Sequence, residues 1–125
     1  MVGVVGMTRM ERALRALRRD FEVVWRVEYW HAQARRRMDL LGIIDVIALA
    51  PGRIVGVQVC GEDFAAHWRK ITEERRSNTA AWLIAGGELE IHAWRKVKVK
   101  RGGKMAVWRP RIVSVGIGDV CVILT

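Results

Sequence analysis

The stretch Leu40–Ala50 is almost unbroken aliphatic sequence with one charge, Asp45, at its middle. A run of that kind reads as a central strand covered on both faces. Pro51-Gly52 supplies a turn, and Arg53–Cys60 is a second apolar strand, short enough to pair antiparallel with the first. An unpaired buried carboxylate is costly. Asp45 is therefore expected to be kept by a salt bridge to an arginine or by a metal ion.

The flanking sequence places other elements around this pair. Thr8-Arg9-Met10-Glu11 has the form of a capping box, and Met10, Ala13, Leu14 and Leu17 follow at helical spacing, predicting a helix over roughly residues 9–19. Phe21, Val23, Trp25, Val27 and Tyr29 alternate with mostly polar residues, predicting a strand with that set buried. Residues 31–39 read as a polar, basic connector. Glu62-Asp63 begins a helix that runs to about Arg76, and Asn78 caps a further short helix through Ala85, ended by Gly86-Gly87. A strand from Leu89 to Lys100 turns at Arg101–Lys104 into Met105–Trp108. Pro110 breaks or edges that strand, and Ile112–Ile117 and Val120–Leu124 read as further β structure. The order is helix, three strands, one or two helices, then strands.

The 125 residues suit a single domain spanning 1–125. No apolar run reaches the ~18 residues of a membrane span, and the opening Met1–Met7 lacks a signal-peptide pattern. Cys60 and Cys121 make neither a disulfide framework nor, for want of His or Cys at ligand spacing, a zinc site. A soluble, intracellular (cytoplasmic) protein with no membrane partner is expected. Lys and Arg number 22 against 13 Asp and Glu, for a net charge of +9. Most of the basic residues are arginine, whose guanidinium grips phosphate oxygens bidentately. A polyanionic partner, above all nucleic acid, is the expectation.

Gln58 and Cys60 are two residues apart and share a strand face. The Pro-Gly turn brings Asp45 and Gln58 to similar heights on neighbouring strands. A carboxylate and an amide oxygen converging there suit a hard divalent cation such as magnesium; a buried Asp–Gln or Asp–Arg hydrogen bond accounts for them equally simply.

The segments Glu11–Leu14 with Phe21–Arg26, Gly42–Asp45, and Val55–Cys60 resemble the PD-(D/E)XK nuclease superfamily. Within it the chain looks most like archaeal Holliday junction resolvases and phage-type nucleases, over roughly residues 8–97. The resemblance implies an α/β, restriction-endonuclease-like α-β-β-β-α-β core with a mixed central sheet flanked by helices. It also implies a helix glutamate, a strand aspartate and the glutamate of an E-x-K motif binding Mg2+ or Mn2+. Glu11 and Asp45 match the first two. Gln58 stands at the motif glutamate and Cys60 at the motif lysine, and both are departures. Lys70, on the next helix, is the candidate to replace the lysine. The capping box offers Glu11 a structural role instead.

Arg35, Arg36 and Arg37 precede the Asp45 strand, and Arg95, Lys96, Lys98, Lys100, Arg101 and Lys104 form a second basic block, followed by Arg109 and Arg111. Such patches position a phosphate backbone. Trp25, Trp82 and Trp68 read as core, whereas Trp94 and Trp108 sit among basic residues. The expected function is metal-dependent hydrolysis of DNA phosphodiesters, with branched DNA such as a Holliday junction as the implied substrate. The resemblance and the apolar Ile112–Leu124 together imply a homodimer. The alternatives are a catalytically inactive DNA-binding module of the same fold and a basic RNA-binding protein.

Overall fold

The computed structural model describes residues 6–120. Helix α1 (Arg9–Leu17) opens with the expected capping box: Thr8 Oγ1 accepts from Glu11 N at 3.1 Å and Glu11 Oε2 accepts from Thr8 N at 3.1 Å. Strands β1 (Val23–Arg26), β2 (Tyr29–His31), β3 (Arg36–Met38), β4 (Val46–Ala50) and β5 (Arg53–Cys60) follow. Helix α2 (Phe64–Arg69) runs through a π-helical turn at Lys70–Glu74 into α3 (Arg76–Ile84). Strands β6 (Glu88–Lys98) and β7 (Ala106–Ser114) and a 3-10 turn at Ile117–Asp119 close the described chain.

Five strands form one mixed sheet in the order β1-β4-β5-β6-β7. The pairs are antiparallel except β5 with β6, which are parallel and joined by the helical crossover. The fold is thus α/β with helices on both sheet faces. Alternation sorts the side chains. Val46, Ala48, Val55 and Val57 meet Leu17, with Met10, Leu14 and Val24 packed around them, so α1 covers that face. Ile44, Cys60, Leu89, Ile91 and Ala93 turn to the other face, where Phe64, Trp68, Ile71, Trp82 and Leu83 cover them. Fully burying one such aliphatic side chain contributes about 1.5–3 kcal/mol. Gly56 lies beneath this cover, and a Cβ there would stand 2.7 Å from Ile44 Cδ1 and 3.3 Å from Trp82, so the strand needs glycine to let the cover close.

Several expectations change. The 31–39 connector contains the return strand of a hairpin, in which Tyr29, Trp30 and His31 pair with Met38, Arg37 and Arg36. The Leu40–Ala50 strand begins only at Val46; Leu41 and Gly42 take positive φ (58° and 73°) and turn the chain ahead of it. Trp25 is not core but 69% exposed. It pairs with Ile47 on the side of the sheet that α2 and α3 cover only over β5 and β6, while its neighbour Val24 faces α1. The helix expected to end near Arg76 passes through the π turn into α3, and Asn78 lies inside α3, donating to Leu41 O at 2.8 Å, rather than capping it. Pro110 does not break the last strand: β7 is continuous through it, as an edge strand permits. The strand expected at Val120–Leu124 lies, beyond Val120, outside the described residues. No described helix is long and apolar enough to cross a membrane.

Candidate functional site

Asp45 sits at the threshold of β4, 4% exposed, on the sheet face covered by α2. Its backbone keeps it in register: Asp45 N donates to Val57 O at 2.9 Å, and Asp45 O accepts from Val27 N and Glu28 N at 2.8 and 3.1 Å. The same two bonds draw the bend between β1 and β2 against it, which brings the Glu28 side chain to the site. The turn at Leu40–Ile44 brings Asp39. Carboxylate oxygens of Glu28, Asp39 and Asp45 lie within 4.8 Å of one another.

Gln58, 1% exposed, meets Asp45 as expected but in the opposite sense. Its Nε2 donates to Asp45 Oδ2 (3.1 Å), Ile43 O (3.1 Å) and Asp39 Oδ2 (3.3 Å). Three acceptors around one nitrogen fix the amide this way, because the reverse would set oxygen against the Ile43 carbonyl. Gln58 therefore presents donors to the carboxylates, where an amide oxygen toward a cation was expected. Its Oε1 faces His67 Nδ1 at 3.0 Å, and His67 Nε2 faces Asp63 Oδ2 at 2.9 Å. Both ring nitrogens of His67 thus face side-chain oxygens.

Lys70 reaches the cluster as the sequence suggested, donating from Nζ to Asp39 Oδ2 at 2.8 Å. It is the first residue of the π turn, a distortion common at functional sites, which Arg75 N closes onto Lys70 O at 2.7 Å. Glu11 does not join these groups. It is exposed, engaged in the capping box, and the carboxylates that gather beside Asp45 are Glu28 and Asp39. The sequence signal for those two was faint: Glu28 fell at an outward position of an expected strand, and Asp39 ended a polar connector.

The electrostatics separate the two aspartates. Burial, then the charge of Asp39, pushes the Asp45 carboxyl up to about 8. Burial opposes ionisation of Asp39 as well, but the Lys70 bond and charge and hydrogen bonds from Asp45 and Gln58 outweigh it, holding Asp39 below its ordinary value. Cys60 packs in the core, its thiol pushed up to about 11 by burial and then by Asp63 and Asp45. Its Sγ still lies within 4.8 Å of ligand atoms of Asp63 and His67, neighbours the sequence spacing did not suggest. Burial would raise Asp63 too, yet the Gly61 N–H and His67 keep it low.

Oxygen donors of this kind suit a hard divalent cation. Gln58, Lys70 and the Val59 N–H direct their hydrogen bonds to Oδ2 of Asp39 and of Asp45. The donor set thus fits Mg2+ or Mn2+ through Asp45, Asp39 and Glu28. Beside it opens a cavity of about 280 Å3 lined by Arg36, Arg37, Asp39, Lys70 and Arg75. Arg36 and Arg37 arrive on β3, and Arg37 also approaches Glu28 at 3.5 Å. Arg35, at φ 52°, occupies the hairpin turn and does not line the cavity. The second basic block is divided by strand alternation: Lys96 and Lys98 face the α1 side with Trp94, and Arg95 faces the other. Lys100 lies beyond β6 in the turn. Comparison with family models, with curated proteins and with solved structures gave no match to this chain, so its chemistry is read from this geometry.

Proposed function

We propose that the protein is a metal-dependent DNA endonuclease of the PD-(D/E)XK type, acting on branched DNA such as a four-way junction. One observation carries the reading: three carboxylates converge, and one of them, Asp39, lines a cavity to which Arg36, Arg37, Arg75 and Lys70 bring four positive charges. The order of helix, three antiparallel strands, helical crossover and parallel strand supports the restriction-endonuclease-like core.

Asp45, Asp39 and Glu28 would hold the cation. When bound, it supplies positive charge to the scissile phosphate and acidifies a coordinated water. The chain's own residues do the rest. Arg36, Arg37 and Arg75 bind flanking phosphates along the cavity. Lys70, anchored on Asp39, holds an ammonium beside the reacting phosphate. Gln58 keeps Asp39 and Asp45 oriented, and His67 keeps Gln58 oriented.

The test is cleavage of labelled four-way junction and duplex DNA with Mg2+ or Mn2+. Wild-type protein cuts, and Asp45→Ala, with an unchanged circular dichroism spectrum, does not. Equal cutting by both proteins, or no cutting of either substrate with either ion, overturns the proposal.

A second reading, a DNA-binding module that keeps the fold without cleaving, draws on the Gln58 amide and Lys70, which already neutralise part of the cluster. Calorimetric titration with Mn2+ separates the two: the inactive module takes up no ion at this site. The homodimer belongs to the proposal as well. Val23, Trp25, Leu49 and Ile54 leave an apolar strip exposed at the β1 end of the sheet, and that strip supports self-pairing.

A further inference from the structure

The sheet face opposite the carboxylates holds a second cavity, of about 240 Å3, between α1 and strands β6 and β7. Arg12, Arg15 and Arg19 line it at helical spacing, with Met7, Trp94 and Trp108. The cations are held in place. Lys96 pairs across strands with Trp108. Around the Trp108 ring stand the Arg12 guanidinium at 4.4 Å from the centroid, Arg9 at 5.5 Å and Lys96 at 5.7 Å. Arg9 Nε also donates to Trp94 O at 2.9 Å.

Among the described residues no carboxylate pairs with Arg9, Arg12, Arg15, Arg19 or Lys96 at salt-bridge distance. Two buried donors also lack any partner among the described residues, Arg12 Nε and Trp94 Nε1, and Trp94 is only 8% exposed. An unmade buried hydrogen bond costs about 1–3 kcal/mol, and crowded like charges add repulsion. One kind of ligand relieves both: an anion with several acceptor oxygens, matched to guanidinium forks. Stacking on Trp108 has already restricted Arg12, which lowers the entropy lost when it grips such a ligand.

We propose that this cavity is a phosphate-binding site, taking the phosphoryl group of a nucleotide or of a nucleic acid strand. The site stands on its own geometry; only its assignment to a strand rests on the nuclease reading.

Binding is measured in EDTA, where metal-dependent cutting is absent. The probes are inorganic phosphate and thymidine monophosphate by calorimetry, and a labelled oligothymidylate by fluorescence anisotropy. Arg12→Gln and Arg15→Gln each weaken the binding of a phosphate-bearing probe about tenfold, and for the strand each lowers the log–log salt slope by about one. Trp94→Phe keeps a ring, removes the indole donor and also weakens binding. A strand that outcompetes the mononucleotide identifies nucleic acid as the source, and the reverse identifies a free nucleotide; either supports the site. Folded variants that bind every probe as tightly as wild type, or a wild type that binds none, overturn it. That result leaves the carboxylate-site reading standing, because cleavage by wild type and Asp45→Ala is scored separately with metal present.

Discussion

Asp45 is almost fully buried, and its chemistry is decided by what reaches its two oxygens. Without a cation, its carboxyl titrates near 8 in place of the ordinary 3.8. The folded state then holds a proton that the unfolded chain releases, so stability falls as pH rises between about 4 and 8. Asp39, held low, acts at the acid end, where stability is lost as pH drops through its lowered value. Urea unfolding in EDTA checks this: wild type loses on the order of a few kcal/mol across the upper window, and Asp45→Asn loses much less. An unchanged pH slope in that variant would exclude Asp45 as the titrating group. Gln58→Glu replaces amide donors with a carboxylate at the same position. It is expected to tighten Mn2+ binding at least tenfold by calorimetry and to destabilise the metal-free protein by about 2–4 kcal/mol through added buried charge. Unaltered Mn2+ affinity would contradict the placement of the cation between these strands.

Among the elements, α1 shows how one residue type serves local structure when global chemistry seemed to need it. Glu11 satisfies an orphan N–H at the helix start, so Glu11→Ala should cost about 1 kcal/mol of stability while leaving Mn2+ affinity unchanged; a loss of ion binding would return Glu11 to the site. The helix, β4, β5 and the Pro-Gly turn were legible because each depends on neighbours within a few residues. Asp45 and Gln58 were legible together for the same reason, their strands being joined by two residues. Lys70 was legible as the one lysine of its helix, although the π turn that aims it was not. Asp39 and Glu28 were not legible, since they reach the site through backbone bends that only the Asp45 carbonyl and the Leu40–Ile44 turn create. The hairpin of β2 and β3 escaped notice because His31–Asp39 lacks the apolar alternation that signals a half-buried strand.

At the scale of the whole molecule, charge and apolar surface are laid out by the sheet. One face carries carboxylates beside a cationic cavity, and the other carries the arginines of α1 around Trp108. If both cationic cavities bind phosphate as proposed, their separation suits a long or branched polyanion better than a small one. In the proposed homodimer the exposed strip of Val23, Trp25, Leu49 and Ile54 would be the pairing surface, in place of the expected Ile112–Leu124, whose residues 121–124 lie outside the described residues. Sedimentation across a concentration series should show a dimer for wild type and a monomer for Trp25→Glu; a monomer in both removes the dimer from the proposal. Trp25 also marks the limit of reading a face from alternation. Phe21, Val23, Trp25, Val27 and Tyr29 formed the more apolar set, yet the structure turns Val24 toward α1, because the helix covers that side of β1 and nothing described covers the other. By itself the sequence determined α1, the β4–β5 pair, the buried aspartate, its glutamine neighbour and the excess of arginine, all consequences of local spacing and composition. Tertiary structure alone decided which carboxylates meet Asp45, which way the Gln58 amide points and which arginines share a cavity. Those depend on crossovers and turns that join residues far apart in the chain, where side-chain pattern carries no record of the partner.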